Sequence, residues 1–130
     1  MNTDEHRTEL NRITERVIAG AYRVANTLGC GFLEKVYENA LAHELRKAGM
    51  AVEQPHAIAV HYDGVVVGDY AADLRVEGKI LVELKAVKAL DEVHLAQCLN
   101  YLRATGHALC LLTNFGKPRI EIRRVILDRP

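Results

Sequence analysis

No run of apolar residues in this chain approaches the ~20 that a membrane-spanning helix needs, and the start, Met1-Asn2-Thr3-Asp4-Glu5-His6, is polar. The expectation is a cytoplasmic protein without membrane contact. Cysteine is scarce, and Cys30, Cys98 and Cys110 form neither a CxxC pair nor a zinc-ligand spacing. Sulfur-held metal is thereby disfavoured, and the thiols are expected to pack as small apolar residues in a reducing compartment. The six histidines (His6, His43, His56, His61, His94 and His107) show no HxxxH or HxH spacing. Charge of one sign is not in excess, with 17 Lys and Arg against 17 Asp and Glu, so no global positive field draws in nucleic acid and any such contact must use a local patch. No phosphate-binding glycine loop follows a strand, since Gly29-x-Gly31 comes after a helix, and a nucleotide-cofactor enzyme has no support. Internal repeats, low-complexity tracts and linkers are absent.

What is there is a chain of 130 residues, 49% hydrophobic, enough for one domain over residues 1–130 with a real core. Leu10, Ile13, Val17, Ala21, Val24 and Leu28 recur at helical spacing and predict an amphipathic helix from about Asp4 to Leu28, its mixed-charge outer face solvated. Gly29 and Gly31 end it. A second helix, about Leu33 to Ala48, carries an apolar stripe of Leu33, Val36, Tyr37, Ala40, Leu41, Leu45 and Ala48. Alternation then predicts a strand from Ala51 to Tyr62, interrupted or bent near Pro55, a hairpin at Asp63-Gly64, and a long strand from Val65 to Val76 with a bulge or crossing point at Gly68. A strand from Lys79 to Val87 leads to a helix capped by Asp91 and closed by Gly106. Ala108 to Thr113 reads as a strand buried on both faces, and Arg119 to Leu127 as an edge strand in a basic tail that includes Asp128 and Arg129. The order is α-α-β-β-β-α-β-β, an α/β fold.

The segment from Asp73 to Lys85 carries the chemistry. At a side-chain period of two, Glu83 and Lys85 share one face. An odd loop such as Val76-Glu77-Gly78, with glycine left-handed, sets Ala72, Leu74, Ile80, Val82 and Leu84 on one apolar face and brings Asp73 to the face of Glu83 and Lys85. Two carboxylates and a backbone carbonyl, that of Leu84, suit the oxygen shell of Mg²⁺ or Mn²⁺, and Lys85 beside them could position water and stabilise charge on a scissile phosphate. On spacing alone the competing reading is a cross-strand salt-bridge ladder, and that is the simpler one. Glu34 lies at the edge of the second helix's stripe, as does Glu44; alone it reads as a partly buried, hydrogen-bonded side chain. His94, Gln97 and Tyr101 share one side of the third helix, while Leu95, Cys98, Leu99 and Leu102 form its apolar stripe. Tyr37 reads as core, with its hydroxyl hydrogen-bonded near the site.

Taken together in chain order, these motifs resemble the PD-(D/E)xK nuclease superfamily, whose core is restriction-endonuclease-like: a mixed central sheet flanked by helices. More closely, Gly29-x-Gly31-x-x-Glu34-x-x-Tyr37, Asp73, Val82-Glu83-Leu84-Lys85-Ala86-Val87, His94-x-x-Gln97-x-x-x-Tyr101-Leu102 and Thr113-Asn114-Phe115-Gly116 look like the GxxExxY branch. The resemblance implies that Asp73 and Glu83 ligate metal, that Lys85 is the catalytic lysine and that Glu34 is a further carboxylate near the metal. It also implies that Gln97 and Tyr101, as in RecB-like exonucleases, support the site or contact substrate. Ala72 stands where the superfamily's name has proline. The implied function is Mg²⁺- or Mn²⁺-dependent cleavage of nucleic acid, DNA first, by a protein that could need a homodimer or protein partner. The alternative is a non-catalytic nucleic-acid or protein-binding module. In this picture the Asp73–Lys85 segment is the floor of a cleft roofed by two helices.

Overall fold

The computed structural model describes residues 3–127, so Asp128 and Arg129 of the basic tail lie outside the described residues. Helix α1 spans Thr3–Leu28 and α2 Glu34–Lys47; the strands are β1 (Val52–Glu53), β2 (His56–Tyr62), β3 (Val65–Ala72), β4 (Leu74–Val76) and β5 (Ile80–Lys85). Helix α3 (Glu92–Thr105) precedes β6 (Leu109–Asn114) and β7 (Glu121–Ile126). Five strands make one mixed sheet in the order β1-β4-β5-β6-β7, parallel only between β5 and β6, and β2 with β3 forms a separate two-stranded hairpin. The α/β expectation with a mixed sheet and flanking helices matches.

Two expected strands are each divided. The chain leaves the main sheet after β1, at Gln54-Pro55, where proline has no N–H for a ladder. It runs out and back as β2–β3 and rejoins the main sheet only after Asp73. Asp73 therefore sits at the switch between two sheets. The hairpin closes at Asp63-Gly64, both residues at positive φ, and its register slips beside Gly68, where Val67 is the extra residue.

The main sheet separates two cores. On one face Ile13, Val17, Ala21 and Val24 of α1 and Tyr37, Leu41 and Leu45 of α2 pack on Leu74, Val76, Ile80, Val82 and Leu84. On the other, Cys98, Tyr101 and Leu102 of α3 with Ile58 and Ala72 of the hairpin cover Leu81, Cys110, Leu112 and Val125. Ala72 was expected with Leu74; the break at Asp73 moves it to the opposite core. Helices α2 and α3 thus lie on opposite faces of the sheet rather than roofing one cleft together.

Three further local expectations change. In α2 the buried stripe is rotated: Leu33 is 80% exposed and Val36 and Ala48 are exposed, while Glu38 and Glu44 are buried with Tyr37, Leu41, Ala42 and Leu45. The apolar side chains at its start had more weight in the pattern than the contacts available to them. Cys30 is exposed between Gly29 and Gly31, both at positive φ, whereas Cys98 and Cys110 are buried as expected. The outer face of α1 is solvated at Arg12 and Glu15, but Glu9 bonds Lys79, Arg16 donates to the Ala48 carbonyl and Arg23 to Glu44.

Candidate active site

The β4–β5 turn sets the register. Val76 pairs with Ile80 and Leu74 with Val82, so three residues, Glu77-Gly78-Lys79, form the loop, shifted by one from the expected loop but with the same odd parity. Glu77 and Gly78 adopt positive φ, a conformation cheap for glycine and uncommon for glutamate. Continuing the register places Asp73 opposite Glu83. There the backbone ladder stops and side chains replace it: the Asp73 N–H donates to Glu83 Oε1 at 2.9 Å and the Leu84 N–H to Asp73 Oδ2 at 2.8 Å. Each bond uses a single oxygen of its carboxylate. The two carboxylates are thereby locked side by side without being neutralised.

The electrostatics follow from that geometry. Burial raises the Glu83 carboxyl to about 8, and the Asp73 charge adds to the rise. Burial also raises Asp73, to about 6; the Leu84 N–H and Lys85 oppose this, while Glu38 and Glu34 reinforce it. No ion pair reaches either carboxylate among the described residues. Lys85 lies two residues beyond Glu83 on the same side of β5, and no salt-bridge ladder forms, so the simpler reading of the three charges fails.

Behind Lys85 a clamp ends the strand. The Phe115 N–H donates to the Lys85 carbonyl at 2.8 Å, while Asn114 Oδ1 accepts from the Val87 and Gly116 N–H groups and its amide donates to the Val87 carbonyl. Gly116 approaches so closely that a Cβ there would stand 2.3 Å from Val87 backbone atoms. Thr113-Asn114-Phe115-Gly116, which reads in sequence as a strand end and turn, is thus the support that aims Lys85.

The other expected residues divide. Glu34 is half-buried at the start of α2, and its charge is felt at Asp73. Glu38, one turn on, weighs more heavily on Asp73; it is 4% exposed and held by Lys35 at 2.7 Å and Gln54 at 2.6 Å. Sequence reading passed over Glu38, although the spacing i, i+4 from Glu34 put both on one helical side. Gln97 Nε2 donates to the Tyr101 hydroxyl at 3.1 Å, and Tyr101, held in its phenol form by burial and then by the Glu83 charge, has its pKa pushed up to about 12. His94 is not brought to the carboxylates: its Nδ1 accepts from the Asp91 N–H in a capping box at the start of α3. Tyr37 is core, stacked on Phe115 at 4.9 Å, and its hydroxyl donates to the Gly29 carbonyl and accepts from the Phe32 N–H, fastening the loop before α2.

Among the described residues no three His, Cys, Asp or Glu side chains converge as a ready-made metal cage. Two desolvated, mutually repelling carboxylates with free oxygens nonetheless fit a small hard cation, since Mg²⁺ commonly takes one or two carboxylates and keeps several waters.

A family model described as the PD-(D/E)XK nuclease superfamily matches residues 11–125. The crystal structure of SSO0001 superposes with a TM-score of 0.56 at 19% identity, covering 73% of this chain and 52% of that one, so this chain spans about half its length. The alkaline exonuclease LHK-Exo from Laribacter hongkongensis superposes with a TM-score of 0.50 at 15% identity, covering 89% of this chain and 81% of that one. At such identities the likeness is one of fold. No curated protein matches the sequence.

Proposed function

From the premise that the chain belongs to the PD-(D/E)XK nuclease superfamily, we propose that it is a divalent-metal-dependent nuclease, acting on DNA, with Asp73, Glu83 and Lys85 at its centre. The observation that carries this reading is the cross-locked pair of Asp73, half-buried, and Glu83, buried, with no ion pair to either among the described residues and Lys85 two residues on. Asp73 and Glu83, with the Leu84 carbonyl, would hold Mg²⁺ or Mn²⁺; when bound, the ion supplies Lewis-acid polarisation of the scissile phosphate. Lys85 orients the attacking water and offsets negative charge as it builds on the phosphate. Glu34 and Glu38 keep the cation side of the site negative, and Gln97 with Tyr101 borders it. A nuclease-type hydrolase is the coarse statement that membership supports, and the alkaline exonuclease of like fold is consistent with it.

The Gly31-x-x-Glu34-x-x-Tyr37 spacing supports placement in the GxxExxY branch. Residues 1–130 are further proposed to form one domain that works in the cytoplasm and acts with a second copy or a protein partner. No helix among the described residues is long and apolar enough to cross a membrane.

The test is incubation of purified protein with single- and double-stranded DNA in Mg²⁺, Mn²⁺ or chelator, together with a crystal soaked in Mn²⁺. Cleavage that needs the metal, and density between Asp73 and Glu83, are expected. Metal-independent nucleic-acid binding without cleavage, unchanged in Glu83→Gln, would instead establish the non-catalytic module.

A further inference from the structure

A groove runs between the β2–β3 hairpin and α3, and the chemistry proposed above leaves most of it unused. It encloses about 780 Å³, within the range of sites that take small ligands. His61 and Tyr70 line it from the hairpin, and Gln97, Asn100, Tyr101 and Arg103 from α3.

Three features of the groove agree on one kind of occupant. First, among the described residues no aspartate or glutamate lines it, although acids equal bases in the chain as a whole, and its basic side chains are Arg103 and His61. Second, Tyr70 is 56% exposed and its ring meets that of Tyr101 at 6.2 Å and 51°, a tilted contact that leaves ring face uncovered. Asn100 and Gln97 beside them offer amide donors and acceptors. Third, the groove and the surroundings of the carboxylates share Tyr101, which is both a groove wall and a member of the buried cluster with Leu81, two residues before Glu83 on the same side of β5. The Glu83 charge acts on the Tyr101 hydroxyl.

An aromatic face with neighbouring amides and a cation suits a base whose faces are open. In a duplex each base is covered above and below, whereas an unpaired strand can lay a base on a ring and a phosphate by an arginine. We propose that this groove receives an unpaired nucleic-acid strand on its way to the carboxylates, with a base stacked on Tyr70 and the backbone held by Arg103. The inference rests on the nuclease reading for its direction, but the groove's binding does not require metal.

It is tested by fluorescence anisotropy with a labelled oligothymidylate of about twelve nucleotides in EDTA, and with a hairpin duplex of like length. Wild type is expected to bind the single strand more tightly than the duplex. Tyr70→Ala weakens that binding roughly tenfold, the scale of one lost base stack, and Tyr70→Phe retains it. Arg103→Ala lowers the slope of log affinity against log salt by about 0.7. Tyr70 is exposed, so circular dichroism of Tyr70→Ala is expected to match wild type. The groove assignment is overturned if wild type does not bind the strand, if the duplex binds as tightly, or if Tyr70→Ala leaves affinity unchanged. Salt-independent binding also overturns it, since no phosphate is then held by Arg103. Cleavage and Mn²⁺ calorimetry on the same proteins in EDTA-free buffer separate the two readings. A protein that cuts while Tyr70→Ala binds normally loses only the groove. One that binds through Tyr70 but takes no Mn²⁺ and does not cut loses only the nuclease.

Discussion

Glu44, at the α1–α2 interface, and Glu83, at the end of β5, are both buried glutamates, at 8% and 3% exposure, and they behave in opposite ways. Glu44 accepts from Arg23 Nη1 at 2.6 Å and lies 3.0 Å from Lys47 Nζ. The Arg23 hydrogen bond, then that of Lys47, holds its carboxyl below the ordinary value. Glu83 has a backbone N–H and a neighbouring carboxylate, and its carboxyl rises to about 8. The first region is a staple that the fold completes by itself. The second has no cationic partner among the described residues, and it is the pair on which the proposed metal site rests.

The largest contrast concerns the lysine near each carboxylate. Lys85→Ala is expected to lower initial cleavage rates by about 10²–10³, the scale of removing one preorganised electrostatic stabiliser, with the fold intact by circular dichroism. Lys47→Ala leaves cleavage unchanged, because it removes only an exposed partner of Glu44. Equal rates for Lys85→Ala and wild type would erase the distinction.

Each region also contains a glycine in close contact. A Cβ at Gly116 would meet Val87 backbone at 2.3 Å, while one at Gly20 would meet the movable Leu45 Cδ2 at 3.0 Å. Gly116→Ala is therefore expected to cost about 1–3 kcal/mol in urea unfolding and to misplace Lys85, with a parallel loss of cleavage. Gly20→Ala comes out near neutral, the tight contact being set against a helix-propensity gain of about 1 kcal/mol.

Removing the charge itself sharpens the comparison. Glu83→Gln is expected to abolish the heat of Mn²⁺ binding while leaving the metal-free melting temperature level or higher. Glu44→Gln keeps Mn²⁺ binding but melts earlier, since Arg23 and Lys47 lose their partner. A Glu83→Gln protein that still binds Mn²⁺ normally would remove Glu83 from the metal site.

The smallest effect is the pH dependence, and its sign differs between the regions. The folded values of Asp73 and Glu83, about 6 and about 8, lie above the ordinary 3.8 and 4.5, so unfolding releases protons between them. Metal-free stability accordingly falls as pH rises from about 4 to about 8 and levels off above. Glu44, with its value lowered, contributes fully above 4.5 and loses its contribution as pH falls through the folded value. Thermal melts in EDTA between pH 5 and 9 are expected to slope downward for wild type, to flatten above about pH 6 in Glu83→Gln, where only Asp73 still titrates, and to keep their slope in Glu44→Gln. A wild-type curve flat over that range would contradict the assignment.

Much of the fold was legible because its signals are short in range. The apolar periods of α1 and α3, the Asp63-Gly64 turn, the Asp91 cap and the buried β6 each depend on residues within a few positions. The shared face of Asp73, Glu83 and Lys85 was legible for the same reason, as the parity of a three-residue turn settles it. Pro55 marked the interruption of the first expected strand, but the division of the second was not legible, because Ala72 to Val76 alternates smoothly through Asp73 and nothing local marks the change of sheet. Glu38 was missed because its burial comes from Gln54 and the approach of Asp73, not from its place in the apolar pattern of α2. His94 ran the other way: the helical wheel grouped it with Gln97 and Tyr101, and its ring turned back to the cap.

By itself, then, the sequence determined which residues share a strand face or a helix side, since those periods are properties of the backbone. Only the tertiary structure decided which buried charges are neutralised. That depends on partners far along the chain, such as Arg23 for Glu44, and on a chain that leaves the sheet at Gln54-Pro55 and returns at Asp73. Pairing at that distance is a matter of packing, and it is packing that gives Glu44 two cationic partners and gives Glu83 none among the described residues.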